Sequence, residues 1–300
     1  MTANPNHAPL VWRSQLYVPA NNPRFVGKAH TRGADAVILD LEDSVPAAER
    51  PAARAALADA VGQVGQAGAD VTVRINSPEA DAMEDLEAAV IAGVRGIYVT
   101  KARDAGYVQA ISGRIGELEA ARSLAVGGIR LVVMIETAAA YLKAEEIGRA
   151  DARTAALQLG GEDMALELSM VPDAETLAKP KQHLNIVARA CGLQPFGIMG
   201  TVADYNDLDA VRVVAERSRR FGFEGAACIH PSVVPVLNAA FSPSAEEVDH
   251  ARRVVDAYAE AQASGVGAIT VDGKMIDVPV VRRAEKLLAR WDAIQARGNG

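Results

Sequence analysis

Eight short apolar runs alternate along this chain with stretches of helical spacing, and no other feature limits its possible folds so tightly. The runs lie at 14–20, 36–41, 70–76, 96–102, 132–136, 154–160, 195–202 and 225–229. Segments such as AVILDL and VVMIE are apolar at consecutive positions. Strands buried on both faces read this way, and such strands belong to parallel sheets. They recur at roughly 20 to 40 residues, a length that suits strand–helix–strand crossovers. Eight such units close naturally into a (β/α)8 TIM barrel, an α/β fold. A doubly wound open sheet is the alternative, but the sequence contains neither a GxGxxG fingerprint nor a GxxxxGK[ST] loop.

Polar residues interrupt the runs where they end. Glu136 closes one run, and Asp163 follows the next across Gly160, Gly161 and Glu162. On neighbouring parallel strands these two carboxylates would stand side by side, and like charges so placed need a cation. Mg2+ suits an oxygen-only site with open water positions, and Mn2+ is a possible substitute. The plainer alternative is that each acid caps the helix that follows it. Gly160 and Gly161 would let backbone approach a ligand closely, which makes Gly161 and Glu162 expected substrate-binding positions. Arg74 and the Glu42-Asp43 pair also fall at strand C-terminal ends, the face that carries the active site in barrel enzymes. The Arg74 fork suits a substrate carboxylate; an ion pair with Glu42 or Asp43 is the alternative. Lys101 invites a Schiff-base reading, which a carboxylate–metal site makes unnecessary. His230 before Pro231 reads as a structural strand end.

Half of the 300 residues are hydrophobic, enough for a large core. A net charge of −7 argues against a nucleic-acid or anionic-membrane surface. No apolar run approaches the ~20 residues that span a bilayer, and the first residues lack a signal-peptide core. Cys191 and Cys228 lie beside apolar segments and read as reduced core residues of a cytoplasmic protein. Residues 1–10 read as a flexible tail and 11–241 as the barrel. Residues 242–300 read as a helix–hairpin–helix lid that opens on a Ser244/Glu247 capping box and turns at Asp272-Gly273.

The stretch RSQLYVPANNPRFVGKAHTRGADAVILDLEDSV resembles the opening of citrate lyase beta-subunit-like proteins of the HpcH/HpaI aldolase/citrate lyase family. VRINSPE, GIYVTKA, VVMIET, LGGEDM, CIHPSVVPVLNAAFSPS and GKMIDVPVV follow in the family's order, so the resemblance runs from Arg13 to the last helix. It implies a TIM barrel of the phosphoenolpyruvate/pyruvate-binding type, assembled as a homotrimer or hexamer with the lid donated to a neighbouring subunit. It implies Glu136 and Asp163 as Mg2+ ligands, Arg74 and Arg13 at the substrate, and Glu42 and Asp43 orienting water around the metal. Asp277 matches the catalytic aspartate on the lid of malyl-CoA and citramalyl-CoA lyases. The implied activity is cleavage of a 3-hydroxyacyl-CoA thioester into acetyl-CoA and a small α-keto acid, or the reverse condensation. A thioesterase on the same substrates, or a citrate lyase beta subunit acting on a carrier-protein thioester, are the alternatives. The chain departs from the family at Thr100, where relatives often carry Pro, and at Phe196-Gly197, where many carry an Ala/Ile-Asp pair.

Overall fold

Parallel pairing joins the apolar runs into one sheet: β1 (Ser14–Pro19), β2 (Ala36–Asp40), β3 (Asp70–Ile75), β4 (Val94–Val99), β5 (Arg130–Ile135), β6 (Thr154–Leu159), β7 (Gln194–Phe196) and β8 (Ala226–Cys228). Their order is β7-β6-β5-β4-β3-β2-β1-β8. The remaining junction, β7 to β8, closes through a single parallel bridge between Phe196 and Gly225, with the Gly197 N–H donating to the Gly225 carbonyl at 2.9 Å. Eight parallel strands in a nearly closed ring, with helices between them, make the expected TIM barrel. The computed structural model describes residues 10–77, 79–201, 205–263 and 268–298. Two compact units divide the chain, Met1–Phe241 and Ser242–Gly300.

The first unit carries α1 (Pro23–Ala29), α2 (Arg50–Gly65), α3 (Glu79–Ala89), α4 (Ala105–Ala121), α5 (Ala138–Tyr141), α6 (Ala144–Gly148), α7 (Gly161–Glu167), α8 (Ala178–Ala190), α9 (Leu208–Arg220) and α10 (Val234–Ala240). Local signals set several boundaries. The Asn22 side chain accepts the Phe25 N–H before Pro23 opens α1, and Gly33 at φ 70° ends the short turn that follows. Two apolar layers hold the unit together. Trp12, Ile38, Tyr98, Val132, Met134 and Phe196 pack inside the ring, and Trp12 stacks on Phe196 at 6.0 Å. Val37, Leu39, Val73, Ile97 and Val133 point outward, into the larger core shared with the helices.

Two expectations are corrected. The helix anticipated after Glu136 is broken into α5 and α6. The seventh run forms only a three-residue strand, because Gly197 turns to φ 151° and the next carbonyls go to a side chain rather than a ladder. The tail expected over 1–10 lies outside the described residues except for Leu10, which is buried and exchanges backbone bonds with the Gln194 carboxamide at 2.7 and 2.9 Å.

The second unit comprises α11 (Ala245–Ala263), the antiparallel pair β9 (Ile269–Val271) and β10 (Lys274–Ile276), and α12 (Val278–Gly298). Ser244 and Glu247 form the capping box reciprocally, at 2.7 and 3.2 Å. Asp272 and Gly273, at φ 49° and 75°, make the hairpin turn. The Asp272 carboxylate pairs with His250 and Arg253, each at 3.0 Å, which ties the turn to α11. Ala251, Val254, Tyr258, Ile276, Val281 and Ala284 form this unit's own core.

Candidate active site

The C-terminal ends of the barrel strands surround a cavity of ≈ 690 Å3. Glu136 follows β5 and is 2 % exposed, while Asp163 stands in the first turn of α7, directly after β6. Gly160 makes room between them. A Cβ placed on it would come within 2.5 Å of the Glu136 Cγ and closer still to its Oε1. The Glu136 Oε2 accepts the Lys101 N–H at 2.6 Å, and the Lys101 ammonium lies 3.0 Å from Glu42 and 3.8 Å from Asp163. Lys101 makes these contacts from a left-handed backbone, φ 47°, uncommon for a residue with a side chain. Thr100, the departure beside it, is buried and donates its hydroxyl to the Ile75 carbonyl at 2.9 Å.

Arg74 is engaged on every side. Its Nε and Nη2 each bond Asp40 at 2.7 Å, and its Nη1 reaches Glu42 at 3.0 Å and Asp43 at 3.1 Å. The Tyr17 ring lies under the guanidinium at 4.7 Å. Ion pairing with Glu42 and Asp43 is therefore present, and the principal partner is Asp40, a residue the sequence does not single out. Its signal was available: Asp40 is the lone acid in a buried run, and it registers directly with Arg74 across β2 and β3. Burial works to raise the Asp40 carboxyl, but the Arg74 fork and the Ser44 hydroxyl together hold it below its ordinary value.

Five carboxylates (Asp40, Glu42, Asp43, Glu136 and Asp163) thus share two cations, Arg74 and Lys101. The surplus negative charge falls on Glu136. Burial, then the charges of Glu42 and Asp163, push its carboxyl up to about 8. Such a site has the oxygen donors and the charge deficit that a divalent cation would meet. Among the described residues, no group of three or more His, Cys, Asp or Glu could hold a metal unaided. Glu136 and Asp163 would form a two-carboxylate site completed by water and substrate oxygens.

The other expected positions separate. Gly161 and Glu162 line the cavity, and Glu162 accepts a hydrogen bond from the Thr201 hydroxyl. Arg13 does not reach the cavity. It precedes β1 and so lies at the N-terminal end of the barrel, where its Nε and Nη2 pair with Asp35 at 2.7 and 2.8 Å. The expectation of Arg13 at the substrate is corrected on this ground. Asp277 belongs to the second unit, where its Oδ1 accepts the Val280 N–H at 3.2 Å and caps α12. His230 accepts the Ser232 N–H and stacks on Tyr205 at 4.9 Å, as a strand-ending cap does. Of the Phe196-Gly197 departure, Phe196 fills the barrel interior and Gly197 lines the cavity. Lys181, also unforeseen, is buried and donates to the carbonyls of Ile198 (2.7 Å) and Gly200, fixing the cavity wall after β7. Burial pushes its ammonium down to about 8, with Glu162 opposing.

The sequence profile of the HpcH/HpaI aldolase/citrate lyase family matches residues 13–231. The chain belongs to this family. A citrate lyase subunit beta of Leuconostoc mesenteroides subsp. cremoris is 30% identical to it over 96% of each chain. A (3S)-malyl-CoA thioesterase of Cereibacter sphaeroides (strain ATCC 17029 / ATH 2.4.9) is 32% identical, over 97% of this chain and 98% of the relative. Among solved structures, protein CitE of Mycobacterium tuberculosis in complex with magnesium, acetoacetate and coenzyme A superposes with a TM-score of 0.73 at 31% identity. That match covers 93% of this chain and 97% of the other. The family agrees with the expected enzyme class, a lyase. Among the described residues no helix is long and apolar enough to cross a membrane.

Proposed function

We propose that this HpcH/HpaI-family chain is a cytoplasmic, Mg2+-dependent carbon–carbon lyase. It would cleave a 3-hydroxyacyl-CoA thioester of the malyl-CoA or citramalyl-CoA type, or form it by condensation. The carrying observation is the two-ended cavity. Glu136 and Asp163 follow β5 and β6, while Phe25, Lys28 and Arg32 line the same cavity from the segment after β1, across the ring. An acyl-CoA has the matching chemistry, an oxygen-rich acyl end and a phosphorylated, aromatic carrier.

Mg2+ held by Glu136 and Asp163 would act as a Lewis acid toward the oxygens of the keto-acid fragment. Arg74 would bind that fragment's carboxylate, for which it must give up part of its hold on Asp40 or Asp43. Glu42 and Asp43 would orient water around the metal. When the C2–C3 bond breaks, the 3-hydroxyl gives its proton to solvent and becomes the keto-acid carbonyl, while the bond's electron pair passes to the thioester fragment as an enolate, which needs a proton to become acetyl-CoA. We assign that proton to Asp277, delivered by the second unit of a neighbouring copy in a homotrimer or hexamer. In condensation the same carboxylate would take the proton from acetyl-CoA.

The likeness to malyl-CoA thioesterases supports a second reading, hydrolysis of the thioester at the same site. Purified protein with Mg2+ should be assayed on malyl-CoA and citramalyl-CoA. Release of acetyl-CoA and keto acid, lost in Asp163→Ala and Asp277→Ala, is the expected result. Free CoA with intact hydroxy acid would replace the lyase by the thioesterase. An inert protein that still binds Mg2+ through Asp163 would point to a carrier-protein thioester, the substrate form of a citrate lyase beta subunit.

A further inference from the structure

Two glutamines reach the interior of the barrel, and they differ. Gln15 is enclosed and satisfied: its Oε1 accepts the Tyr98 hydroxyl at 2.6 Å, and its Nε2 donates to the Trp12 carbonyl at 3.2 Å. Gln158 stands nearer the mouth. It registers with Met134 on β5 and Phe196 on β7, both members of the interior cluster, and it lines the cavity. It is 7 % exposed, and its Oε1 is buried without a hydrogen-bond partner. Among the described buried polar atoms in that condition, this is the one whose residue lines the cavity. No hydrogen bond joins its Nε2 to the described residues, which leaves the nitrogen available to a ligand in the cavity that the side chain lines.

Position defines what that nitrogen can meet. Met134, its register partner, precedes Glu136 by two residues, so Gln158 lies roughly 6 to 7 Å down the barrel from the acids at ~3.3 Å per residue. Its register neighbours Met134 and Phe196 are apolar and belong to the interior cluster, as does Ala227, which lines the same cavity. An unpaired buried oxygen is a standing cost that a methionine of the same length would not carry. A nitrogen that binds ligand would account for it.

We propose that Gln158 is a specificity-determining residue: its carboxamide donates an N–H to an oxygen on the substituent of the α-keto-acid fragment. That substituent points down the barrel while the carboxylate and carbonyl stay with Glu136, Asp163 and Arg74. The inference rests on the keto-acid-binding role given to the site above. It selects keto acids whose substituent bears an oxygen over those that end in alkyl, so among the substrates proposed above it counts against citramalyl-CoA, whose keto acid is pyruvate.

Hydroxypyruvate and 2-oxobutyrate are nearly isosteric and differ by one hydroxyl against one methyl. Their binding with Mg2+ should be measured calorimetrically for the parent and for Gln158→Met, with thermal unfolding of both proteins; Gln158→Leu repeats the test in a second apolar shape. The parent should bind hydroxypyruvate roughly three- to tenfold more tightly, as one neutral hydrogen bond allows. In either variant the preference should vanish or reverse, with a Tm no lower than the parent's. A preference that survives in both variants, or is missing from a parent that binds both acids, overturns the role of Gln158 and leaves the keto-acid site standing. A folded parent that binds neither acid overturns the functional reading and this inference with it.

Discussion

The Glu136 carboxylate accepts the backbone N–H of Lys101 at 2.6 Å, and it does so because Lys101 holds a left-handed φ of 47°. The same twist sends the ammonium to Glu42. One strained residue thus steadies a buried acid of the cluster by its main chain and a second acid by its side chain. Strain of this kind costs on the order of 1 kcal/mol and persists where the surroundings fix it. Replacing Lys101 by Ala should retain the strain and lose the ammonium. We expect a stability loss of about 1 kcal/mol together with tighter Mg2+ binding, because one competing cation is gone. Denaturation and calorimetry on the same variant check both signs.

Gly160→Ala places a methyl group against the Glu136 side chain, in a space shorter than any carbon–carbon contact. Glu136 must swing away or the β6–α7 turn must shift. A stability loss of about 1–3 kcal/mol is expected, with Mg2+ affinity reduced on the order of tenfold or more. Unchanged Mg2+ affinity in a folded G160A protein would separate Glu136 from the metal.

The raised Glu136 carboxyl gives a pH dependence of defined sign. Its proton is held in the folded protein up to about 8, well above the ordinary carboxylate range. That contributes stability which is complete below the unfolded-state value and is lost as pH rises through about 8. Metal-free parent protein should therefore lose stability relative to Glu136→Gln as pH rises from about 5 to 9, by a few kcal/mol. Mg2+ should restore the parent at the alkaline end and leave E136Q unmoved. Urea midpoints of the two proteins across that range, with and without Mg2+, read the difference directly.

Asp40 carries the opposite sign. Its carboxyl is held low, so its pairing with Arg74 is present above the unfolded-state value and fails as pH falls. Asp40→Asn leaves a largely buried guanidinium with only Glu42 and Asp43, and should cost about 3 kcal/mol. The freed Arg74 fork should then bind keto acid more tightly in whatever fraction stays folded. Equilibrium unfolding and a keto-acid titration give the two numbers.

Delivery of Asp277 by a neighbouring copy is open to complementation. Asp163→Ala and Asp277→Ala should each be inactive alone. Co-expressed, they should regain activity in up to about one quarter of sites, those that combine one copy's barrel with another's Asp277. No recovery in a mixed oligomer would place Asp277 within its own chain's site or outside the chemistry.

Much of this was legible in the sequence, for physical reasons. Strands buried on both faces must be continuously apolar, so AVIL and VVMI announced themselves, and acids that stop such runs must lie at strand ends. Direction was legible too. Arg13 precedes its strand whereas Arg74 ends one, so only Arg74 could face the cavity, a distinction that motif matching passes over. Asp40 was legible as a lone acid in an apolar run, but its partner was not, since the Asp40–Arg74 register is known only once β2 and β3 are paired. The orphan oxygen of Gln158 could not be read at all: whether a carboxamide is satisfied depends on neighbours distant in the chain. The shortness of β7 followed from Gly197 and from the pull of Lys181 on the carbonyls beyond it, and the latter is a contact between a helix and a loop.

The single bridge between Phe196 and Gly225 makes the barrel a ring with a clasp. No side chain fits on the Gly225 half of the clasp, since a Cβ there would overlap the Trp12 carbonyl. Seven junctions are laddered, among them β5 to β6, which Glu136 and Asp163 follow, whereas the β7 margin, which carries Gly197 and Ile198, meets β8 through one bridge and is held by Lys181 on the Ile198 carbonyl. Substitutions along that margin can reshape the wall that meets the substrate without moving the acids. Within this architecture, part of the cavity wall can diverge on a strand that carries neither Glu136 nor Asp163.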